Sequence, residues 1–240
     1  MNPGKVVHPA PLDAHLRLGG DWAPRQPRDL NFSFPHDGGS FTQATNRCVG
    51  IGRCRQQTRG GGEVMCPAYQ VTGAEEHSTR GRARLLFEML DGHGDGPIST
   101  GWRSTEVRDA LDLCLACKGC KTDCPVNVDM ATYKAEFLSH YYEHHRRPLH
   151  AYAFGLMDRW AHLASTMPRI ANLPGQLPVI QDVVKAVLSI APERTIPAFA
   201  HQSFQRSMRS RSSSQRFKKD ASWSSRPAVL LWPETWNNYF

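Results

Sequence analysis

No stretch of the 240 residues approaches the roughly 20 consecutive apolar residues that a membrane-spanning helix requires, so an integral membrane protein built on such helices is excluded. The opening Met1-Asn-Pro-Gly-Lys-Val-Val-His-Pro lacks the apolar core of a secretory signal, and the expectation is a chain not exported by that route. Phosphate-binding loops are also missing. Gly50-Ile-Gly52 begins like a dinucleotide-binding turn, but Arg55 stands at the third glycine position and cysteines bracket the segment. Before residue 228 no segment alternates apolar with polar residues, so the expected class is mainly α. Charge of one sign dominates only locally. The net charge is +7, and six Arg or Lys fall between Arg206 and Lys219 without an acid among them. This Ser-rich run reads as a solvated linker, and the nearly neutral remainder argues against a nucleic-acid partner.

What the sequence has is seven cysteines, at 48, 54, 66, 114, 117, 120 and 124. An odd number in a chain not expected to be exported argues against a disulfide framework. Four of the seven lie within eleven residues, Cys114-Leu-Ala-Cys117-Lys-Gly-Cys120-Lys-Thr-Asp-Cys124-Pro125. This is C-x2-C-x2-C-x3-C-P, the spacing of bacterial-type iron–sulfur ligation, in which the fourth cysteine serves a second cluster. Structural zinc, which prefers two separated pairs around one tetrahedral ion, fits that spacing poorly. The earlier trio, Cys48-Val-Gly-Ile51-Gly-Arg-Cys54 followed after eleven residues by Cys66-Pro67, follows the same template with two departures. Isoleucine at 51 cannot bind iron, and the long spacer carries Gly60-Gly61-Gly62. Crossing the two motifs assigns Cys66, Cys114, Cys117 and Cys120 to one 4Fe–4S cluster. Cys48, Cys54 and Cys124 remain for a second site, either 3Fe–4S or a 4Fe–4S cluster with one iron held by another ligand. The competing reading of the trio is structural cysteine without metal.

Helical periodicity surrounds these motifs. Ser78 caps a helix with Ala83, Leu86, Phe87 and Leu90 on one face, and Gly92 ends it. Ser104 caps a second, whose Val107, Ala110 and Leu111 lead into Cys114, and Asp129 caps a third with Tyr133, Phe137, Leu138 and Tyr141. Further helices are expected over 151–164 and 178–190. His140-Tyr-Tyr-Glu143-His144 matches a zinc-peptidase pattern, but its amphipathic setting favours an exposed polar face. Residues 1–40, rich in Pro, Gly and Asp, read as an extended linker.

An aliphatic residue in the incomplete motif, paired with a complete one, resembles the iron–sulfur subunits of succinate dehydrogenase and fumarate reductase. A longer resemblance rests on Arg47-Cys48 to Cys54-Arg55, Met65-Cys66-Pro-Ala-Tyr, Glu76-His-Ser-Thr-Arg-Gly-Arg-Ala83, Ala110 to Cys120 and Asp123 to Glu136. These are similar to the C-terminal iron–sulfur part of large FAD-linked oxidases of D-lactate, glycolate or D-2-hydroxyglutarate. That resemblance implies a helical ferredoxin domain over 41–165, additional helices over 166–205 and a basic linker over 206–227. It further implies that 228–240 begins a truncated cysteine-rich domain as its first strand, and that FAD sits in a flavin domain missing before residue 1. The chain would then be a fragment, or a separate subunit docking to a flavoprotein. It would relay electrons to a quinone or a soluble carrier, in the cytoplasm or at the inner face of the cytoplasmic membrane. Arg53, Arg55, Lys118 and Lys121, next to the ligands, are expected to raise cluster potential.

Overall fold

A computed structural model describes residues 7–11, 18, 26–27, 29–56, 65–91, 98–214 and 230–240. The chain divides into two compact units, Met1–Arg146 and Arg147–Phe240. That boundary falls earlier than the expected end of the helical domain at 165.

The first unit is helical, as its periodicities predict. It holds α1 (Phe41–Asn46), α2 (Pro67–Thr72), α3 (Thr79–Asp91), α4 (Thr105–Asp112), α5 (Gly119–Asp123) and α6 (Met130–His144). The three expected caps form. Ser78 Oγ accepts the Gly81 amide, Ser104 Oγ the Val107 amide and Asp129 Oδ1 the Thr132 amide, each satisfying a first-turn N–H with no intrahelical partner. Helices α1, α3, α4 and α6 pack around Phe41, Leu86, Val107, Leu111, Val128, Met130 and Phe137. Beside them lies an aromatic cluster. Phe41 stacks on Trp102 at 5.7 Å and meets the edge of Tyr133 at 5.8 Å, while the Tyr133 hydroxyl donates to the Ala44 carbonyl.

Two expectations are corrected here. Residues 29–40 are not a free linker: Phe34 and Ser40 are buried. The reason is Glu136, whose fully buried carboxylate accepts the Asn31 amide at 3.0 Å, the Phe32 amide at 2.9 Å and a contact from His140 Nε2 at 2.8 Å. The same contacts overturn the exposed-face reading of the peptidase-like motif. His140 is buried, stacked on Trp102 at 4.3 Å, whereas His144 is exposed. The pattern is a packing and anchoring device.

The second unit holds α7 (Leu149–Gly155), α8 (Met157–Ala164), α9 (Pro168–Gln176), α10 (Pro178–Val187), α11 (Phe204–Ser214) and α12 (Thr235–Tyr239). The single helix expected over 151–164 is two, because the backbone turns aside at Leu156 just after Gly155. The basic run is helical through Ser214, since Phe204–Ser214 contains no glycine or proline and arginine favours helix; residues 215–227 lie outside the described residues. The strand expected over 228–240 does not form in its described part. Glu234 caps α12 by accepting the Asn237 amide, and a strand there has no partner strand among the described residues. Asn172 ties the unit together by exchanging two hydrogen bonds with the Phe199 backbone, and Phe240 packs on Phe199 and Trp236. Among the described residues no helix is long and apolar enough to cross a membrane.

Candidate iron–sulfur site

Both cysteine loops adopt one backbone trace. In the first, the left-handed residues are Gly50 (φ 82°) and Gly52 (φ 79°), two and four positions after Cys48. In the second they are Ala116 (φ 51°) and Lys118 (φ 60°), at the same offsets from Cys114. Each loop then enters a short helical turn, Arg53–Arg55 or α5, with Cys54 or Cys120 as its second residue. Ile51 and Cys117 therefore occupy equivalent positions, and both side chains are exposed. A left-handed conformation costs an L-residue about 1–2 kcal/mol and nothing comparable in glycine. Glycines supply it in the first loop, while in the second the surroundings hold Ala116 and Lys118 there.

The seven cysteines line two cavities. Cys66, Cys114, Cys117 and Cys120 line one, together with Thr79, Arg82, Lys118 and Met130. Cys48, Cys54 and Cys124 line the other, with Gly50, Ile51, Gly52, Arg53 and Thr79. Thr79 is common to both, and the cavities adjoin where the Cys54 and Cys66 thiols hydrogen-bond each other. That bond holds the Cys54 thiol down to about 6 and pushes Cys66 up, burial adding to the rise. Burial likewise raises Cys120.

Donors are already arranged around the sulfurs. The Thr79 amide donates to Cys66 Sγ at 3.0 Å, with its hydroxyl 2.6 Å from the same atom. Backbone N–H groups of Arg80 and Met130 reach Cys54 and Cys120. Lys134, half-buried on α6, donates to the Asp112 and Cys114 carbonyls at 3.1 and 2.7 Å, fixing the chain where α4 leads into the second loop. Its ammonium is held below the usual lysine range by burial.

The donor set fits iron–sulfur chemistry. Thiolates are the ligands such clusters take, and N–H groups on the sulfurs suit an anionic core. A single zinc ion, with bonds near 2.3 Å, needs its sulfurs roughly 3.8 Å apart. No three Cys, His, Asp or Glu side chains among the described residues are gathered to hold one ion.

The basic residues expected to govern potential are partly neutralised. Arg55 pairs with Glu75 at 2.7 Å, and Lys118 and Lys121 share Asp129 at 3.5 and 3.4 Å. The Asp129 carboxyl stays below its usual range; burial raises it, but the Thr132 bonds and the two lysines prevail. Sequence reasoning missed Thr79, Arg82 and Lys134. Their sequence signal is that all three fall in the segments Glu76–Ala83 and Asp123–Glu136 that carry the family resemblance, with Thr79 and Arg82 three apart on α3.

Residues 43–128, within the first unit, match the family described as the 4Fe-4S dicluster domain. Over 210 residues, 73% of the chain, it is 28% identical to a D-2-hydroxyglutarate dehydrogenase of Pseudomonas putida, of which it covers 19%. It is 25% identical over 84% of its length to the D-2-hydroxyglutarate dehydrogenase of Escherichia coli, covering 23% of that protein. Across 81 residues, 34% of the chain, it is 32% identical to the glycolate oxidase iron-sulfur subunit of Escherichia coli, covering 16% of that subunit. The chain thus spans about a fifth of the length of the dehydrogenases it matches, and its likeness to them extends over most of its residues. No solved structure matches it.

Proposed function

We propose that the first unit holds two iron–sulfur clusters and relays electrons, one at a time, from a flavin-bearing partner that oxidises a 2-hydroxy acid to a downstream acceptor. The carrying observation is the division of seven thiols, four to one cavity and three to the adjoining one. In this reading Cys66, Cys114, Cys117 and Cys120 hold a 4Fe–4S cluster. Cys48, Cys54 and Cys124 hold a 3Fe–4S cluster or a 4Fe–4S cluster with one iron bound otherwise. When bound, these groups supply one-electron redox steps, which lets a two-electron donor discharge to a one-electron chain.

The protein's part is geometry and field. Thr79, reaching both cavities, fixes Cys66 by two contacts and so sets the separation of the two sites. The Cys54–Cys66 contact brings the sites together, which keeps the transfer between them short. The amides of Thr79, Arg80 and Met130 bear on the sulfurs and favour added negative charge. Cys117, the exposed ligand, with Leu115 and Leu113 exposed beside it, offers the route in or out.

The flavin partner is either the remainder of a longer polypeptide, as the dehydrogenase relatives favour, or a separate subunit, as the glycolate oxidase relative favours. Anaerobic purification with iron and sulfide analysis and paramagnetic resonance tests the reading. About seven irons per chain and two distinct signals are expected for one cluster of each kind. A colourless, iron-free chain defeats it.

A further inference from the structure

Arg82 is the most deeply buried cation at the cysteine cavities, 2% exposed, on α3 three residues beyond Thr79. Its Nε donates to the Ala110 carbonyl at 2.7 Å, at the end of α4 nearer the second loop. Its Nη2 is buried without a hydrogen-bond partner, and the residue lines the four-cysteine cavity.

No carboxylate among the described residues pairs with Arg82. The described acids of α3 and α4 are engaged elsewhere: Glu88 with Arg84, Glu106 with the Ser104 hydroxyl, Asp109 with Arg108, and Asp112 beside Lys134. A guanidinium cannot shed its proton to escape burial. Left unpaired in the interior it is strongly destabilising, so such a charge requires an anion. Lys134 lies close enough to Arg82 for the two to repel, and the negative charge of Asp112 acts on Lys134. Among the described residues, the space beside Arg82 left to hold a countercharge is the one walled by Cys66, Cys114, Cys117 and Cys120.

We propose that Arg82 is the buried counterion of the core in the four-cysteine cavity, its free N–H donating to a sulfur of that core and favouring its reduced state. This rests on the iron–sulfur reading above. It assigns the role to one cluster, since Arg82 does not line the three-cysteine cavity. Arg82 is a positioning residue as well, through Ala110, and the test must separate the two parts.

The experiment uses the full chain purified without oxygen, as wild type, Arg82→Gln and Arg82→Lys, with iron content and potentiometric titration followed by paramagnetic resonance. Arg82→Gln should disfavour reduction of the four-cysteine cluster about tenfold, a fall of about 59 mV for a one-electron couple. The three-cysteine cluster should keep its potential. Arg82→Lys, which keeps the charge and loses the fork, should show a smaller fall confined to the same cluster. Equal shifts at both clusters, or none in a loaded Arg82→Gln chain, overturn the proposal. Should Arg82→Gln fail to load, Arg82→Lys decides: a fall at the four-cysteine cluster alone supports the counterion role, and unchanged potentials overturn it. An iron-free wild type defeats instead the reading of the site.

Discussion

Replacing Ile51 by cysteine tests the equivalence of the two loops directly. Both carry left-handed residues two and four positions after their first cysteine, and Ile51 falls where Cys117 falls in the other loop. Ile51→Cys therefore delivers a fourth thiolate to the cavity of Cys48, Cys54 and Cys124 without a change of backbone. The cost to the fold is small. Ile51 is 56% exposed, so trimming it forfeits under about 1 kcal/mol of apolar burial. With one cluster of each kind in the wild type, iron should rise from about seven to about eight per chain, each complete cubane taking four thiolates. The paramagnetic signal of the oxidised protein, carried by the three-iron core, should fade in proportion. Iron analysis and resonance spectra of anaerobically prepared samples read both. A folded variant that keeps seven irons and an unchanged oxidised signal would refute the equivalence and, with it, the assignment of these three cysteines to one site.

Removing the carboxylate in Glu136→Ala strands two backbone amides and His140 in the interior, and should cost about 3–5 kcal/mol in urea unfolding; Glu136→Gln, which keeps one acceptor, should cost less. A wild-type midpoint for Glu136→Ala would show that residues 31–32 are not anchored there. Gly81→Ala places a Cβ 2.0 Å from the Glu75 carbonyl oxygen, so α3 must shift, and a loss of about 3 kcal/mol is expected by the same measurement. Lys118→Glu combined with Lys121→Glu should lower the potential of the four-cysteine cluster, modestly because both lysines are half-exposed and already share Asp129. Protein-film voltammetry giving an unchanged or higher value counts against it.

How far the sequence discloses this protein depends on what kind of force sets each feature. The cysteine spacings are read easily, because the proposed ligation would fix residue type and interval. The caps at Ser78, Ser104 and Asp129 are legible because each satisfies a local N–H. What escapes is long-range and polar. Residues 31–34 have no periodicity; they are ordered by a carboxylate 104 to 105 positions away, which no window of sequence contains. The same distance explains the misreading of His140, which looks like surface until Glu136 and Trp102 are brought to it. In the second unit, Leu163, Ile170, Val179 and Val183 have helical spacing yet remain exposed, so periodicity finds helices there without finding their partners. The break at Leu156 and the helix over 204–214 turn on local backbone choices too fine for that signal.

The placement of cations follows the same division. Arg53, Arg55, Lys118 and Lys121 attract notice because they adjoin cysteines in sequence, but Arg55, Lys118 and Lys121 have nearby carboxylates, and exposed charge is screened. Arg82 sits 28 positions from the α4 carbonyl it braces and is buried, where a charge acts at low dielectric and cannot be discounted by solvent. One helix, α3, presents Thr79 to both cavities and Arg82 to one of them. Two sites built on nearly the same loop thereby receive different fields, and a difference in potential between adjoining centres is what gives electron flow a direction.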